Sequence, residues 1–234
     1  MNMTTIASNM QAVRDAIEDA ACAAGRDPRD VKLLAVSKTF PVEDIRTAYA
    51  AGQSCFAENY VQEGIGKIAA LQDLPIEWHF IGPIQSNKTR PIAEHFSWVH
   101  SIDRLKTAQR LSAQRPENLP PLQVCIEVNI SGEVSKSGVA PDEVAALAQA
   151  VSALPRLCLR GLMAIPQPES NPAQQHAAFV KLRQLQEQLI DNGLQLDTLS
   201  MGMSHDFPAA IAEGATMVRI GTAIFGARNY GGNT

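Results

Sequence analysis

Apolar and polar positions follow two periods along this chain, and the two take turns. Short runs rich in apolar and β-branched residues mark strands, and longer segments with apolar residues three and four apart mark helices. The opening segment is helical: Ile6, Met10, Val13, Ile17 and Ala21 share one face of a helix predicted over 6–24, and Gly25 stops it. A strand follows over 32–37, then a helix over 42–51 closed by Gly52. The pairing repeats as strand 54–57 with helix 60–71, strand 78–81 with helix 87–95, and strand 98–102 with helix 105–114. The clearest strand spans 122–130, and Pro141 and Asp142 begin the helix after it, which runs to about 154. Strand 157–165, helix 172–192 closed by Gly193, strand 198–201, helix 207–213 and strand 216–220 complete the series.

Eight strand–helix alternations behind an extra N-terminal helix imply a parallel sheet, since each return to the sheet needs a crossover. An open doubly wound sheet is the alternative, but no G-x-G-x-x-G follows the first strand. The pattern therefore predicts an α/β fold, a closed (β/α)8 TIM barrel. The 234 residues are close to the roughly 250 typical of one. No Pro/Ser-rich linker, low-complexity tract or repeat interrupts the rhythm, so residues 1–234 read as a single domain.

Composition narrows the function without naming it. With 45% hydrophobic residues, 19% charged residues and a net charge of −4, the chain carries no electrostatic footprint for nucleic acid or an anionic membrane. Cys22, Cys55, Cys125 and Cys158 are far apart and form no C-x-x-C pair, which suggests reduced thiols in a cytoplasmic protein. No signal peptide or membrane-length apolar run is visible. His79, His95, His100, His176 and His205 show no H-x-H or H-x-x-x-H spacing, so no metal centre is expected. Neither a G-x-S-x-G elbow nor a Walker A loop is present.

Active sites of such barrels lie at the C-terminal ends of the strands. Lys38 ends the first strand. Partial desolvation at a barrel rim lowers a lysine's pKa and favours the amine that attacks carbonyls, although a lysine there also snorkels readily into solvent. Arg219 lies within the apolar run of the last strand, where its charge must be paired or meet a ligand. Gly221 and Thr222 follow it at a turn whose N–H groups and hydroxyl can cradle a phosphate. The loop after the seventh strand, with Ser200 and Ser204, offers more hydroxyls, and barrel phosphate sites are often built from these two loops. Asn59 ends the second strand as a cavity-lining residue or a helix cap. His79 reads as a hydrogen-bonded core group, and Lys136 as a solvated residue of the loop after the fifth strand.

Several segments carry a family resemblance: Ala35–Thr39, Glu58–Glu63, His79–Lys88, Gly161–Pro166, Leu199–Ser204 and Val218–Thr222. In this order they resemble the YggS/PROSC family of pyridoxal phosphate homeostasis proteins, over residues 6 to 228. The resemblance implies a barrel like the N-terminal domain of bacterial alanine racemase, without its second, β-rich domain. It also implies pyridoxal 5′-phosphate (PLP) held as a Schiff base on Lys38. Ser204, Gly221 and Thr222 would hold the phosphate with Ser200 assisting, Arg219 would approach the pyridine nitrogen, and Asn59 would lie beside the ring. One departure is visible: His205 follows Ser204 where an acidic residue is expected, with Asp206 next.

The arginine assignment bears on activity. A guanidinium cannot supply the proton that turns the pyridine into a strong electron sink. Racemisation also needs a second base, and none of Tyr49, Tyr60 and Tyr230 is an obvious one. The expected function is thus a non-catalytic PLP carrier of vitamin B6 homeostasis, monomeric and in transient contact with apo PLP enzymes. A small PLP-dependent amino-acid racemase is the alternative. A PLP-free Schiff-base aldolase using Lys38 is a third reading, which leaves Arg219 and the phosphate loops less well explained.

Overall fold

All the predicted strands form, and they close into a barrel in the order β1 to β8 with every neighbouring pair parallel. The computed structural model describes residues 3–132, 137–167 and 171–227. The strands are β1 (Lys32–Val36), β2 (Cys55–Glu58), β3 (Glu77–Phe80), β4 (Trp98–Ile102), β5 (Leu122–Glu127), β6 (Leu157–Met163), β7 (Thr198–Ser200) and β8 (Met217–Ile220). Helix α1 (Met3–Ala23) precedes them. Between the strands run α2 (Val42–Ala50), α3 (Val61–Ala70), α4 (Thr89–His95), α5 (Leu105–Gln114), α6 (Val144–Ser152), α7 (Pro172–Asp191) and α8 (Phe207–Ala212), and α9 (Thr222–Phe225) follows β8. Among the described residues no helix is long and apolar enough to cross a membrane.

Strand alternation sorts the side chains into two sets. Ala35, Phe56, Phe80, Val99, Val124, Leu162, Leu199 and Val218 point outward into the main core beneath the helices. Leu34, Val36, Cys55 and Ala57 pack with one another inside the barrel, and Trp98, Cys125, Met163 and Met217 form a second interior group. Cys125 is wholly buried there, and burial pushes its thiol up to about 12, so it behaves as a small apolar group. All four cysteines are free thiols.

The N-terminal helix has a definite place in the ring. Among the described residues, the segment after β8 forms only the four-residue α9. Helix α1 packs against α2, α8 and α9, filling the outer position that a full eighth crossover helix would take. Its predicted face is the buried one: Ile6, Met10, Val13, Ile17 and Ala21 are each at most 7% exposed. Arg14 donates to the Ala51 carbonyl at the end of α2, and Arg26 donates to Ile211 and Ala215 at the end of α8, tying α1 and the segment after it to both neighbours.

β5 is shorter than its apolar run predicts. Beyond Glu127 the chain pairs with its own returning loop: Val139 N–H donates to Glu127 O, and Asn129 N–H donates to Val139 O. These bonds take over the edge of β5 that faces β4, while Val128 N–H still donates to the Met163 carbonyl of β6, so Val128 and Ile130 stay buried without extending the strand.

Candidate functional site at the barrel mouth

β7, β8, β1 and β2 are consecutive around the barrel, so the residues just past their C-terminal ends share one arc of the mouth. Lys38, Asn59, Ser204, Gly221 and Thr222 all lie on that arc.

Lys38 is half-buried in the turn after β1, and the residues on both sides of it are clamped. Before it, Ser37 Oγ donates to Glu58 Oε1 at 2.6 Å, and the Ser37 carbonyl accepts from Lys67 Nζ at 2.7 Å. After it, Thr39 N–H donates to Glu63 Oε1 at 2.6 Å, and Phe40 stacks on Phe225 with ring centroids 5.0 Å apart. Thr39 has φ +69°, in the left-handed region that costs a β-branched residue roughly 1–3 kcal/mol. Lys67 of α3 sits between Glu58 at 2.8 Å and Glu63 at 2.6 Å. Burial pushes the Glu58 carboxyl up, and the Lys67 ammonium opposes that shift.

Asn59 directly follows β2. Its side-chain oxygen is buried and has no hydrogen-bond partner among the described residues, an opening for a ligand's polar group. The β3 loop crosses its backbone so closely that a Cβ on Gly82 would stand 2.1 Å from the Asn59 carbonyl oxygen. Only glycine fits this crossing.

Arg219 lies inside β8 and is 3% exposed. Its Nη1 donates to Ser200 Oγ at 2.8 Å and its Nη2 to the Ala164 carbonyl at 2.9 Å. Burial brings its pKa down to about 10, with Asp206 and Glu127 the first charges that oppose the shift. It therefore remains a cation at neutral pH. Glu127, at the end of β5, is itself pushed up to about 7, chiefly by burial and further by Asp103.

Ser200, expected to assist at the phosphate, has its side chain inside the barrel. Its hydroxyl is fully buried and engaged by Arg219 and by His100 Nδ1 at 2.8 Å, so it stands behind the arginine and not among the phosphate-loop hydroxyls. Ser204 occupies the turn before α8, which Asp206 closes by accepting from Met203 N–H at 2.5 Å. Asp206 thus anchors this loop, while His205 is exposed. Arg219 N–H donates to the Gly202 carbonyl, which joins the loop after β7 to β8. Gly221 lies against Val36, whose carbonyl oxygen would be 3.0 Å from an added Cβ, and Thr222 opens α9 with its side chain exposed.

The sequence reading missed Glu58, Glu63 and Lys67 as a unit, although Glu63 and Lys67 stand at i,i+4 spacing on α3. It also missed His100. His79 is the buried, hydrogen-bonded core group expected, bonded to His100 and Glu77. Cys55, Glu77 and His79 come within 4.8 Å of one another at the opposite end of the barrel, a grouping that linear spacing did not reveal. The Glu77 oxygen is already shared by His79 and Lys32. Lys136 and Tyr230 lie outside the described residues. Tyr60 is 57% exposed beside Asn59.

A closed (β/α)8 barrel with a lysine just past its first strand and a buried arginine within its last defines the class, and the family model for the alanine racemase N-terminal domain matches residues 2–229. Within that class the chain belongs to the pyridoxal phosphate homeostasis protein family. It is 66% identical over 229 residues to the protein of that name from Pseudomonas aeruginosa, covering 98% of both chains. It is 56% identical over 231 residues to the one from Escherichia coli, covering 97% of this chain and 99% of that one. The solved structure of PipY from Synechococcus elongatus with PLP bound matches with a TM-score of 0.83 and 39% identity, over 94% of this chain and 100% of that one. Alanine racemase from Corynebacterium glutamicum matches with a TM-score of 0.71 over 96% of this chain and 62% of that one. At 20% identity that likeness is one of fold.

Proposed function

We propose that this protein is a non-catalytic carrier of PLP, which it holds covalently through Lys38 and supplies to apo PLP enzymes in the cytoplasm as part of vitamin B6 homeostasis. The observation that carries this reading is the buried, donor-only Arg219 guanidinium on the same arc of the mouth as Lys38. The residues present fit the cofactor. The buried Asn59 oxygen has no partner among the described residues, and Gly221 leaves room beside Val36 where a side chain would crowd the floor of the mouth. PLP when bound supplies a reactive aldehyde carbon and a pyridine ring.

The chain's own residues divide the work. Lys38, set by the clamp on Ser37 and Thr39, provides the amine. Asn59 lies beside the ring, and Ser204, Gly221 and Thr222 receive the phosphate. Arg219 presents N–H donors to the ring nitrogen, which a donor-only group cannot protonate while its own pKa stays near 10. This blunts the electron sink on which amino-acid chemistry at PLP depends. A monomer is the simplest working state.

The visible spectrum of the purified, PLP-loaded protein tests the reading. A yellow band is expected that borohydride abolishes, leaving the label on the Lys38 peptide, and Lys38→Ala should lack the band. No band after PLP addition would sink the proposal. Conversion of an L-amino acid to its enantiomer by the loaded protein would replace the carrier with the racemase.

A further inference from the structure

Behind Arg219 the barrel interior is crossed by a continuous chain of side chains. Arg219 Nη1 lies 2.8 Å from Ser200 Oγ, and that oxygen lies 2.8 Å from His100 Nδ1. His100 Nε2 is 2.9 Å from His79 Nδ1, and His79 Nε2 is 3.0 Å from Glu77 Oε1, where Lys32 Nζ joins at 3.1 Å. Ser200, His100 and His79 are wholly buried. The chain starts behind the mouth and ends at the first residue of β3, on the opposite face of the barrel.

Its two ends dictate its direction. A guanidinium only donates and an ionised carboxylate only accepts. The His79 N–H and Lys32 hold Glu77 well below the usual carboxylate range, so it is ionised. His79 must then donate from Nε2, and as a neutral ring it accepts at Nδ1. His100 in turn donates from Nε2 and accepts at Nδ1, and the Ser200 hydroxyl donates to His100 while accepting from Arg219. Both imidazoles are neutral in this assignment, which agrees with burial, since burial pushes both their pKa values down. With both rings neutral, no other assignment satisfies every hydrogen bond in the chain.

The other charges facing Arg219 do not replace this support. Asp206 is committed to Met203 N–H, and Glu127 is only partly ionised at neutral pH. At the far end, Cys55 Sγ lies 3.5 Å from the same Glu77 oxygen as a thiol donor.

We propose that His100 and His79 are positioning residues which, through Ser200, fix the orientation of Arg219 toward the PLP ring and so help determine how tightly and in what electronic state the cofactor is held. This rests on the reading that PLP binds at the mouth with its ring nitrogen toward Arg219. The chain supplies an acceptor of fixed position at one end of the guanidinium, as the Ala164 carbonyl does at the other. The remaining N–H groups are thereby aimed rather than free to rotate.

Two measurements test it. Side-chain 15N NMR on the intact protein, with and without PLP, should show both buried imidazoles neutral, each protonated at Nε2 and bare at Nδ1. A proton on Nδ1 of either ring, or an imidazolium, would overturn the assignment. The second compares His100→Leu with His100→Asn after PLP loading. Leucine removes the acceptor for Ser200, whereas asparagine can return an amide oxygen near the Nδ1 position. His100→Leu should bind PLP on the order of ten- to a hundredfold more weakly, with a shifted visible band, and His100→Asn should recover most of both. A folded leucine variant with wild-type affinity and spectrum would overturn the proposal. If that variant does not fold, Ser200→Ala in the same assays is expected to show the same loss, and wild-type behaviour there counts equally against it. A wild-type protein without a PLP band would defeat the binding reading alone, because the tautomer measurement needs no cofactor.

Discussion

The mouth of this barrel rests on two buried polar networks built on opposite electrostatic plans. On the outer face of β2, beneath Lys38, opposite charges are in direct contact: Lys67 touches Glu58 and Glu63 and also binds the Ser37 carbonyl. Inside the barrel, Arg219 and Glu77 are kept apart by three neutral groups, Ser200, His100 and His79. The first network sets a backbone, since its partners are Ser37 and Thr39 on either side of the lysine. The second sets a side chain. Direct buried ion pairs bear a heavy desolvation cost and fail badly when one partner is lost. A chain of neutral dipoles loses less when cut, because an orphaned hydroxyl or imidazole is cheaper than an orphaned charge.

The sharpest way to break this comparison is Lys67→Met. It leaves the fully buried Glu58 carboxylate without its cation and should cost on the order of 3–5 kcal/mol, a fall in Tm of about 10 °C or more. Adding Glu58→Gln should recover most of the loss. A single variant within about 1 kcal/mol of wild type would show that the pair is not holding the turn.

The histidine chain should instead reveal itself through pH. Burial depresses the folded-state pKa of both imidazoles, so the unfolded chain binds more protons on acidification. The stability they contribute is present above the unfolded value of about 6.5 and is lost as pH falls below it toward the folded values. A Tm profile from pH 7 downward should therefore decline, and it should decline less steeply in His100→Asn, which has one imidazole fewer to protonate. Identical profiles would assign the acid sensitivity elsewhere, to groups outside the chain.

The smallest effect expected is at Thr39. Thr39→Gly removes the penalty of a β-branched residue at φ +69° and should stabilise by about 1 kcal/mol, or roughly 2–4 °C in Tm. A loss of stability would mean that threonine contacts outweigh the backbone strain.

How far the sequence reading reached depended on whether each feature is local. The buried face of α1 was legible because helical spacing alone puts Ile6, Met10, Val13, Ile17 and Ala21 in line. The apolar run overstates the length of β5 because it cannot show whether the backbone pairs with a neighbouring strand or with its own returning loop, as Val139 does with Glu127. Lys38 and Arg219 stood out because a cation at the end of, or within, an apolar strand is locally anomalous. Ser200 did not betray its role. Its partners lie 19 and 100 residues away, and the same serine pointing the other way would suit a phosphate loop.

The amino-acid order by itself determined the periodicities, hence eight strand–helix units, and the motifs that carry the family likeness with its candidate lysine and arginine. Only the tertiary structure decided that α1 completes the helical ring, that Lys67 clamps the turn around Lys38, and that two histidines and a serine stand behind Arg219. The reason is physical. Secondary structure follows from interactions a few residues apart, whereas the direction of a hydrogen bond and the charge of a buried group depend on which distant side chains close the barrel around them and shut out water.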